Sequence, residues 1–490
     1  MHTNMRACFG EKGVFMGYTE YVFLFAFLPF SIVLYILVSQ FKNAKLNNSV
    51  LIILSLLFYS WGSFSTVLLF LLFIFIAYLL GNLIYYVKKS ETPEITRVWM
   101  LAAAAVPVLF LVYSKYAGYI LAITNRFTGL SLSAGNPVVL IGISFITFEA
   151  VSYITDIFRG DAEPGTFLDV MVFFSLFPKL VSGPIVLWKD FSPQTGRRDF
   201  LPGQVEQGIN RIIIGYAKKA VIADSLGAVI AEINLKIAAG GFDSGTIWLK
   251  SLLYFFEIYY DFAGYSDIAI GICSIFGFRL KENFNFPYIS TSVTEFWRRW
   301  HISLGTWFRE YVYIPLGGNR KGNVYLNLFI VFMLTGIWHG ENMTFILWGI
   351  MHGICIVTER IIRNKKWYTG TPVIIRWLIT MFIVYLGWIL FMSESCQQAA
   401  QTILALFGRG VSGSPDFTWQ YFLRLKVILL LVIAVAGSLI GAVRFPESWK
   451  SILCSDKTLI IRRALFLLLF AVDILFIINS TYSPFIYFQF

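Results

Sequence analysis

The sequence predicts an all-α protein that crosses a membrane many times. Of its 490 residues, 57% are hydrophobic and 14% are charged, against roughly a quarter charged in a soluble domain. The mean hydropathy is +0.70. Apolar runs near the length of about 20 residues that spans hydrocarbon recur along the whole chain. A segment in lipid must satisfy its own backbone, which leaves helices or a closed barrel. Continuous runs such as 67–80 lack the period-two alternation of a barrel strand, so the spans are helices.

The expected spanning runs are 21–39, 49–62, 65–87, 98–122, 138–157, 168–187, 208–230, 247–277, 324–339, 343–362, 373–392, 421–442 and 462–480. The run at 168–187 is interrupted by Pro178, Gly183 and Pro184, as in broken or re-entrant helices that line a cavity. Lys179 lies between those prolines, which fits either a passage lining or a short connection. No internal repeat and no soluble domain are evident. The chain reads as one integral membrane domain, 1–490, with an N-terminal extension at 1–20 and a least regular, functional core region at 168–355. Met16 is an alternative start to Met1.

Basic residues cluster between apolar runs, the pattern of cytoplasmic loops. Lys42 with Lys45, Lys88 with Lys89 and Arg97, Arg159, Arg360 with Arg363, Lys365 and Lys366, and the group Arg444, Lys450, Lys457, Arg462 and Arg463 are therefore expected inside. Both termini then face outward. The net charge of +11 follows from this pattern and does not point to nucleic acid. Cys8, Cys273, Cys355, Cys396 and Cys454 show neither metal spacing nor a disulfide framework. The run 21–39 is followed by Lys42 and Lys45 rather than by a small-residue cleavage site.

Three of the four histidines, His301, His339 and His352, fall within 301–352. In so apolar a chain, few other groups can carry a proton near neutral pH. His339 closes an apolar run in the segment Gly336-Ile337-Trp338-His339-Gly340. An ionisable residue at such a place is functional by default, because burying it is costly; the plainer alternative is a hydrogen bond to a neighbouring helix. His301 follows Phe296-Trp297-Arg298-Arg299-Trp300. On a continuous helix, Phe296, Trp300, Leu304, Trp307 and Tyr311 line one stripe, with Arg298, Arg299, Arg309, Glu295 and Glu310 on the far side. This predicts an amphipathic helix at the membrane face, with His301 on the border between its faces. A simple contact with lipid phosphate explains that histidine equally well. His352 lies about 220° around from His339 on one continuous helix, at about 100° per residue, and reads as a supporting residue. His2 is terminal and uninformative.

No metal site is expected, since no His-Glu-x-x-His and no carboxylate or thiolate at ligand spacing accompanies the histidines. Asp261 and Asp267, in an aromatic stretch, are candidates to orient a histidine or to pair with Arg298 or Arg299, with helix-end capping and ion pairing for assembly as the alternative. The segment Pro315-Leu316-Gly317-Gly318-Asn319-Arg320 is a turn that could also clasp a phosphate.

These residues carry a resemblance. Phe177-Pro178-Lys179 with Gly183-Pro184-Ile185, Asp261-Phe262-Ala263-Gly264-Tyr265-Ser266-Asp267, Asn283-Phe284-Asn285-Phe286-Pro287-Tyr288, residues 296–304, Trp307-Phe308-Arg309 through Arg320, 336–340 and the terminal 484–490 resemble the membrane-bound O-acyltransferase (MBOAT) family. The match is to its bacterial, alginate O-acetyltransferase-like branch. The teichoic-acid D-alanylation transporter is a more distant relative. The resemblance implies a multi-helix bundle with re-entrant and interfacial helices and a central tunnel. It implies His339 as the catalytic histidine and His301 as the second polar site position; the residues themselves make Trp338, Trp300, Asp261, Asp267, Arg298, Arg299 and His352 the supporting candidates.

The implied function is transfer of an acyl group, acetyl in this branch, from a cytoplasmic thioester across the bacterial inner membrane to an extracellular or periplasmic polysaccharide. The donor expected is acetyl-CoA or an acyl-carrier thioester, with no tightly bound cofactor. The partners expected are membrane lipid, an SGNH-like periplasmic or cell-surface acetyltransferase and a polysaccharide assembly complex. No Gly-x-Ser-x-Gly elbow is present, which disfavours a serine acyl-enzyme. Two other classes fit the composition: a transporter or flippase of an acyl-bearing carrier with no chemistry of its own, and a membrane scaffold for polysaccharide assembly.

Overall fold

A computed structural model of the chain describes residues 16–479 except 134, 136–138, 181–182, 199–200, 413–414, 444–454 and 456–457. Residues 1–15 of the N-terminal extension, with His2 and Cys8, lie outside the described residues. So do Arg444, Lys450, Cys454, Lys457 and the terminal segment 484–490.

Among the described residues, every regular element is helical. In chain order, the main helices are α1 Leu28–Ser39, α2 Ala44–Ser63, α3 Val67–Ser90, α4 Pro93–Thr128, α5 Ile143–Arg159, α6 Phe167–Ser175, α7 Pro202–Tyr216, α8 Asp224–Gly240 and α9 Ser244–Ile275. They continue as α10 Val293–Arg299, α11 Ile302–Phe308, α12 Val324–His339, α13 Met343–Ile362, α14 Val373–Met392, α15 Cys396–Leu406, α16 Leu425–Leu439 and α17 Leu459–Asn479. The chain forms two compact units. The first takes in the described residues of Met1–Ile209 and Ala269–Lys281; the second takes in those of Asn210–Ile268 and Glu282–Phe490.

Among the described residues, five helices are long and apolar enough to cross a membrane: Phe64–Ser90, Pro93–Thr128, Met343–Ile362, Val373–Met392 and Leu425–Ala442. In α3 the two faces divide at helical spacing. Phe70, Phe73, Ile74, Ala77, Gly81 and Ile84 are buried, while Leu68, Leu72, Phe75, Leu79 and Leu83 are exposed. An exposed face of leucine and phenylalanine suits hydrocarbon rather than water. The 36-residue α4 opens with Pro93 at its first turn, behind Thr92, whose hydroxyl accepts from the Ile95 N–H. It closes at Gly129, whose φ of 73° only glycine takes easily.

In the first unit, α5 is buried on almost every face between Ile143 and Ile157. The expected run at 168–187 is a helix, α6, that stops at Ser175 because Leu176 leaves the helical region. A single turn, Phe177–Leu180, follows it. Lys179 on this turn is fully buried and forms a 2.6 Å ion pair with Glu149 of α5. The lysine is thus a bonded part of the core. Tyr18 ties the same turn down by donating to the Pro178 carbonyl at 2.7 Å.

In the second unit, α12 and α13 form an antiparallel hairpin closed by 340–342. Side-chain amides start both helices: Asn323 accepts from Tyr325 and Leu326, and Asn342 accepts from Thr344. Glycines set the close approach of their axes. A Cβ at Gly336 would strike the Phe345 carbonyl, and one at Gly349 would strike that of Phe332. Backbones that meet this closely need small residues along the contact.

The expected continuous amphipathic helix over 296–311 is not present. The Ser292 hydroxyl caps α10 by accepting from the Glu295 N–H. The helix then ends at Trp300, whose backbone is extended, and His301 has φ 45° and ψ 53°. A short π-helical segment, Arg309–Tyr313, follows α11. Asn283 and Asn285 explain the break. The Asn283 carbonyl accepts from the Ile302 N–H, and the Asn285 N–H donates to the Arg299 carbonyl, both at 2.9 Å. These bonds take up backbone groups that a continuous helix would have used. Phe296, Trp300, Leu304 and Trp307 are nevertheless all buried, because they fill the core on both sides of the break.

Candidate functional site

His301, Trp338 and His339 come together in the second unit. His339 is the last residue of α12 and is 4% exposed. Its ring lies edge to face against Trp348 of α13 at 5.2 Å and Phe391 of α14 at 5.0 Å, with Phe345 at 6.1 Å. The Trp338 indole lies 4.8 Å from His339 and 6.4 Å from His301, between centroids, and so links the two imidazoles.

His301 is 1% exposed. It is therefore a buried residue in the break between α10 and α11, not a border residue of an interfacial helix. Phe262 of α9 packs against it edge to face at 4.6 Å. Its Nδ1 is 3.1 Å from Asn283 Oδ1. Burial pushes its pKa down to about 3, so the ring is neutral at physiological pH. A non-glycine residue with positive φ is uncommon, and such strain gathers at functional sites.

His352 joins the cluster by a route the sequence hid. His339 and His352 do not share one helix; they lie on the two arms of the hairpin, and both touch Trp348, at 5.2 Å and 5.1 Å. His352 Nδ1 accepts from the Trp297 indole N–H at 3.3 Å. Its Nε2 faces Gly387, where an added Cβ would meet that nitrogen at 2.7 Å. His352 therefore fastens α10 to α13 and α14. Trp300 is likewise structural in its contacts, packed among Phe296, Phe284, Tyr259 and Trp388 at 4.7 to 6.0 Å between ring centroids.

The two aspartates have other partners than those expected. Asp261 pairs with Lys219 at 2.6 Å, and Lys219 also holds Asp224 at 2.7 Å. Asp267 pairs with Lys218 at 2.5 Å and Arg211 at 2.8 Å. Lys218 and Lys219 sit on a π-helical segment, Ala217–Ala223, which presents adjacent lysines to carboxylates six residues apart on α9. The signal was available in the sequence, since two cations in the apolar run 208–230 need carboxylates and 247–277 supplies them. Arg299 pairs with Glu295 at 3.0 Å and also donates to the Asn285 carbonyl, while Arg298 is exposed. At 315–320 the chain turns through positive φ at Gly317 and Gly318. The Asn319 side chain accepts there from Tyr313 and Arg360.

Sequence reasoning missed Asn283, Trp348 and Phe391 as site neighbours. Asn283 was visible as an amide in a mostly aromatic segment, whereas nothing local marks Trp348 or Phe391 among the many aromatics. Among the described residues, no group of three or more His, Cys, Asp or Glu is arranged to hold a metal ion.

A buried imidazole at the end of an apolar helix, walled by aromatic rings and linked through an indole to a second imidazole, suits proton transfer in a water-poor site. The chain belongs to the MBOAT, membrane-bound O-acyltransferase family, which matches residues 159–397, and it is an O-acyltransferase in a multi-pass membrane fold. It is 37% identical to the probable alginate O-acetylase AlgI of Pseudomonas putida over 97% of this chain and 100% of that protein. It is 31% identical to the peptidoglycan O-acetyltransferase of Helicobacter pylori over 80% of each. It is 33% identical to the teichoic acid D-alanyltransferase of Streptococcus thermophilus over 46% of this chain and 58% of the relative.

Proposed function

We propose that this protein takes an acetyl group from a cytoplasmic thioester, acetyl-CoA or an acyl-carrier protein, and delivers it across the bacterial inner membrane for O-acetylation of an exported polysaccharide. The observation that carries this reading is the buried cluster of His339, Trp338 and His301 in a chain similar to alginate O-acetylases over nearly its whole length.

In this reading, His339 is the general base. It takes the acceptor hydroxyl proton as the hydroxyl oxygen attacks the thioester carbonyl. The C–O bond forms, the C–S bond breaks, and the imidazolium returns the proton to the departing thiolate. The reaction is thereby balanced as thioester plus alcohol to ester plus thiol. The Trp338 indole N–H is the donor for the developing oxyanion. Exposed Arg298 serves as a contact for donor phosphates. The acceptor is either the sugar hydroxyl itself or a hydroxyl of an SGNH-like periplasmic partner within a polysaccharide assembly complex.

The test uses proteoliposomes loaded with acetyl-CoA that carries separate labels on the acetyl and CoA moieties. Acetyl label on an external acceptor with CoA label retained inside is the expected result. Intact donor outside would identify a carrier transporter and overturn the proposal.

A further inference from the structure

Asn283 is 1% exposed and belongs to no helix. It is held beside His301 by the backbone bonds of 283 and 285 to 302 and 299. Its amide orientation is fixed by its partners. Oδ1 accepts from the Ser303 backbone N–H at 3.2 Å and the Ser303 hydroxyl at 2.9 Å, and Nδ2 donates to Ser266 Oγ at 3.1 Å. The atom facing the histidine is therefore an acceptor, so the His301 Nδ1 at 3.1 Å must carry a proton. In a neutral imidazole, the other nitrogen then presents a lone pair.

We propose that Asn283 is a positioning residue that holds His301 as its Nδ1–H tautomer, so that Nε2 is left as an acceptor lone pair and not as an N–H donor. The proposal rests on the acyl-transfer reading for its catalytic half only. It narrows the role of His301: a neutral ring whose Nδ1–H is engaged by Asn283 cannot also donate to the oxyanion from Nε2, which leaves that task to Trp338. In this arrangement, no N–H of His301 competes for the lone pairs of the attacking oxygen, whose single proton goes to His339.

The full chain is prepared in nanodiscs with histidine labelled in both ring nitrogens with 15N, and a His301→Gln sample assigns the His301 signals. Solid-state NMR near neutral pH should show a protonated Nδ1 and a bare Nε2 at His301. Asn283→Leu should lose that preference, with Nε2–H appearing, and should lower kcat about 10–100-fold, the usual effect of removing an orienting partner, with KM little changed. Asn283→Asp, which keeps the acceptor oxygen, should retain the tautomer and most of the turnover. A wild-type His301 protonated at Nε2 overturns the proposal without any variant. So does an unchanged tautomer in Asn283→Leu, or full turnover once the tautomer is lost. The tautomer is read without substrate, so its failure is distinguishable from failure of the acyl-transfer reading.

Discussion

The His339 imidazole and the Trp348 indole meet at 87°, with ring centroids 5.2 Å apart, across the glycine-lined contact of α12 and α13. Trp348 also touches His352 at 5.1 Å, so one buried side chain sets the wall for the proposed base and for the histidine that fastens α10. Trp348→Ala should lower stability by about 3–5 kcal/mol, as for other buried tryptophans, and reduce acetyl transfer with it. Trp348→Phe should keep both ring contacts and most activity. Thermal unfolding in detergent, paired with transfer assays, checks both.

His339→Ala should abolish acetylation while leaving membrane abundance unchanged. His301→Ala should reduce it about 10²–10⁴-fold, the span of one acid–base group. Polymer acetyl content, read against immunoblots of membrane fractions, decides the matter. Normal acetylation in the His339 variant would remove it from the chemistry.

Lys219 is 1% exposed and holds both Asp224 and Asp261. Lys219→Ala leaves two buried carboxylates without their cation and should destabilise by about 3–5 kcal/mol. Lys218 differs because it is partly exposed and Asp267 keeps Arg211. Lys218→Ala should therefore change stability by no more than about 1 kcal/mol. Unfolding midpoints of the two variants should separate clearly; equal midpoints would contradict the difference in burial.

Gly336→Ala should force α12 away from α13, because the new Cβ meets the Phe345 carbonyl, and should displace His339 three residues on. Gly118→Ala, where an added Cβ has nothing within 4 Å, is the control. The first variant should lose transfer activity and thermal stability, and the second should retain both.

The tautomer experiment on Asn283 completes this set, since it reads the hydrogen-bond arrangement directly while the others read stability or turnover.

The break at Trp300 and His301 shows how far local pattern carries. The stripe Phe296, Trp300, Leu304, Trp307 and Tyr311 was legible as the apolar face of a helix at the membrane face, but Phe296, Trp300, Leu304 and Trp307 are buried inside the protein. The same periodicity pointed to a continuous helix, because helix-breaking at 300 and 301 comes from backbone bonds to Asn283 and Asn285, some 16 residues away. Asp261 and Asp267 were legible as charges needing partners. Their choice of Lys219, Lys218 and Arg211 over Arg298 and Arg299 depends on which helices pack together.

By itself, the sequence determined that this is an all-α membrane protein with three of its four histidines gathered in 301–352, because apolar composition, run length and rare ionisable residues are local properties. It also carried the family, through motifs spread over most of the chain. The tertiary structure decided what each polar residue does. It put His339 and His352 on opposite arms of a hairpin sharing Trp348, buried His301 in a helix break, and assigned the aspartates to lysines of another helix. Those outcomes depend on contacts between residues far apart in the chain, where burial and hydrogen-bond satisfaction select one partner among several that the sequence leaves equivalent.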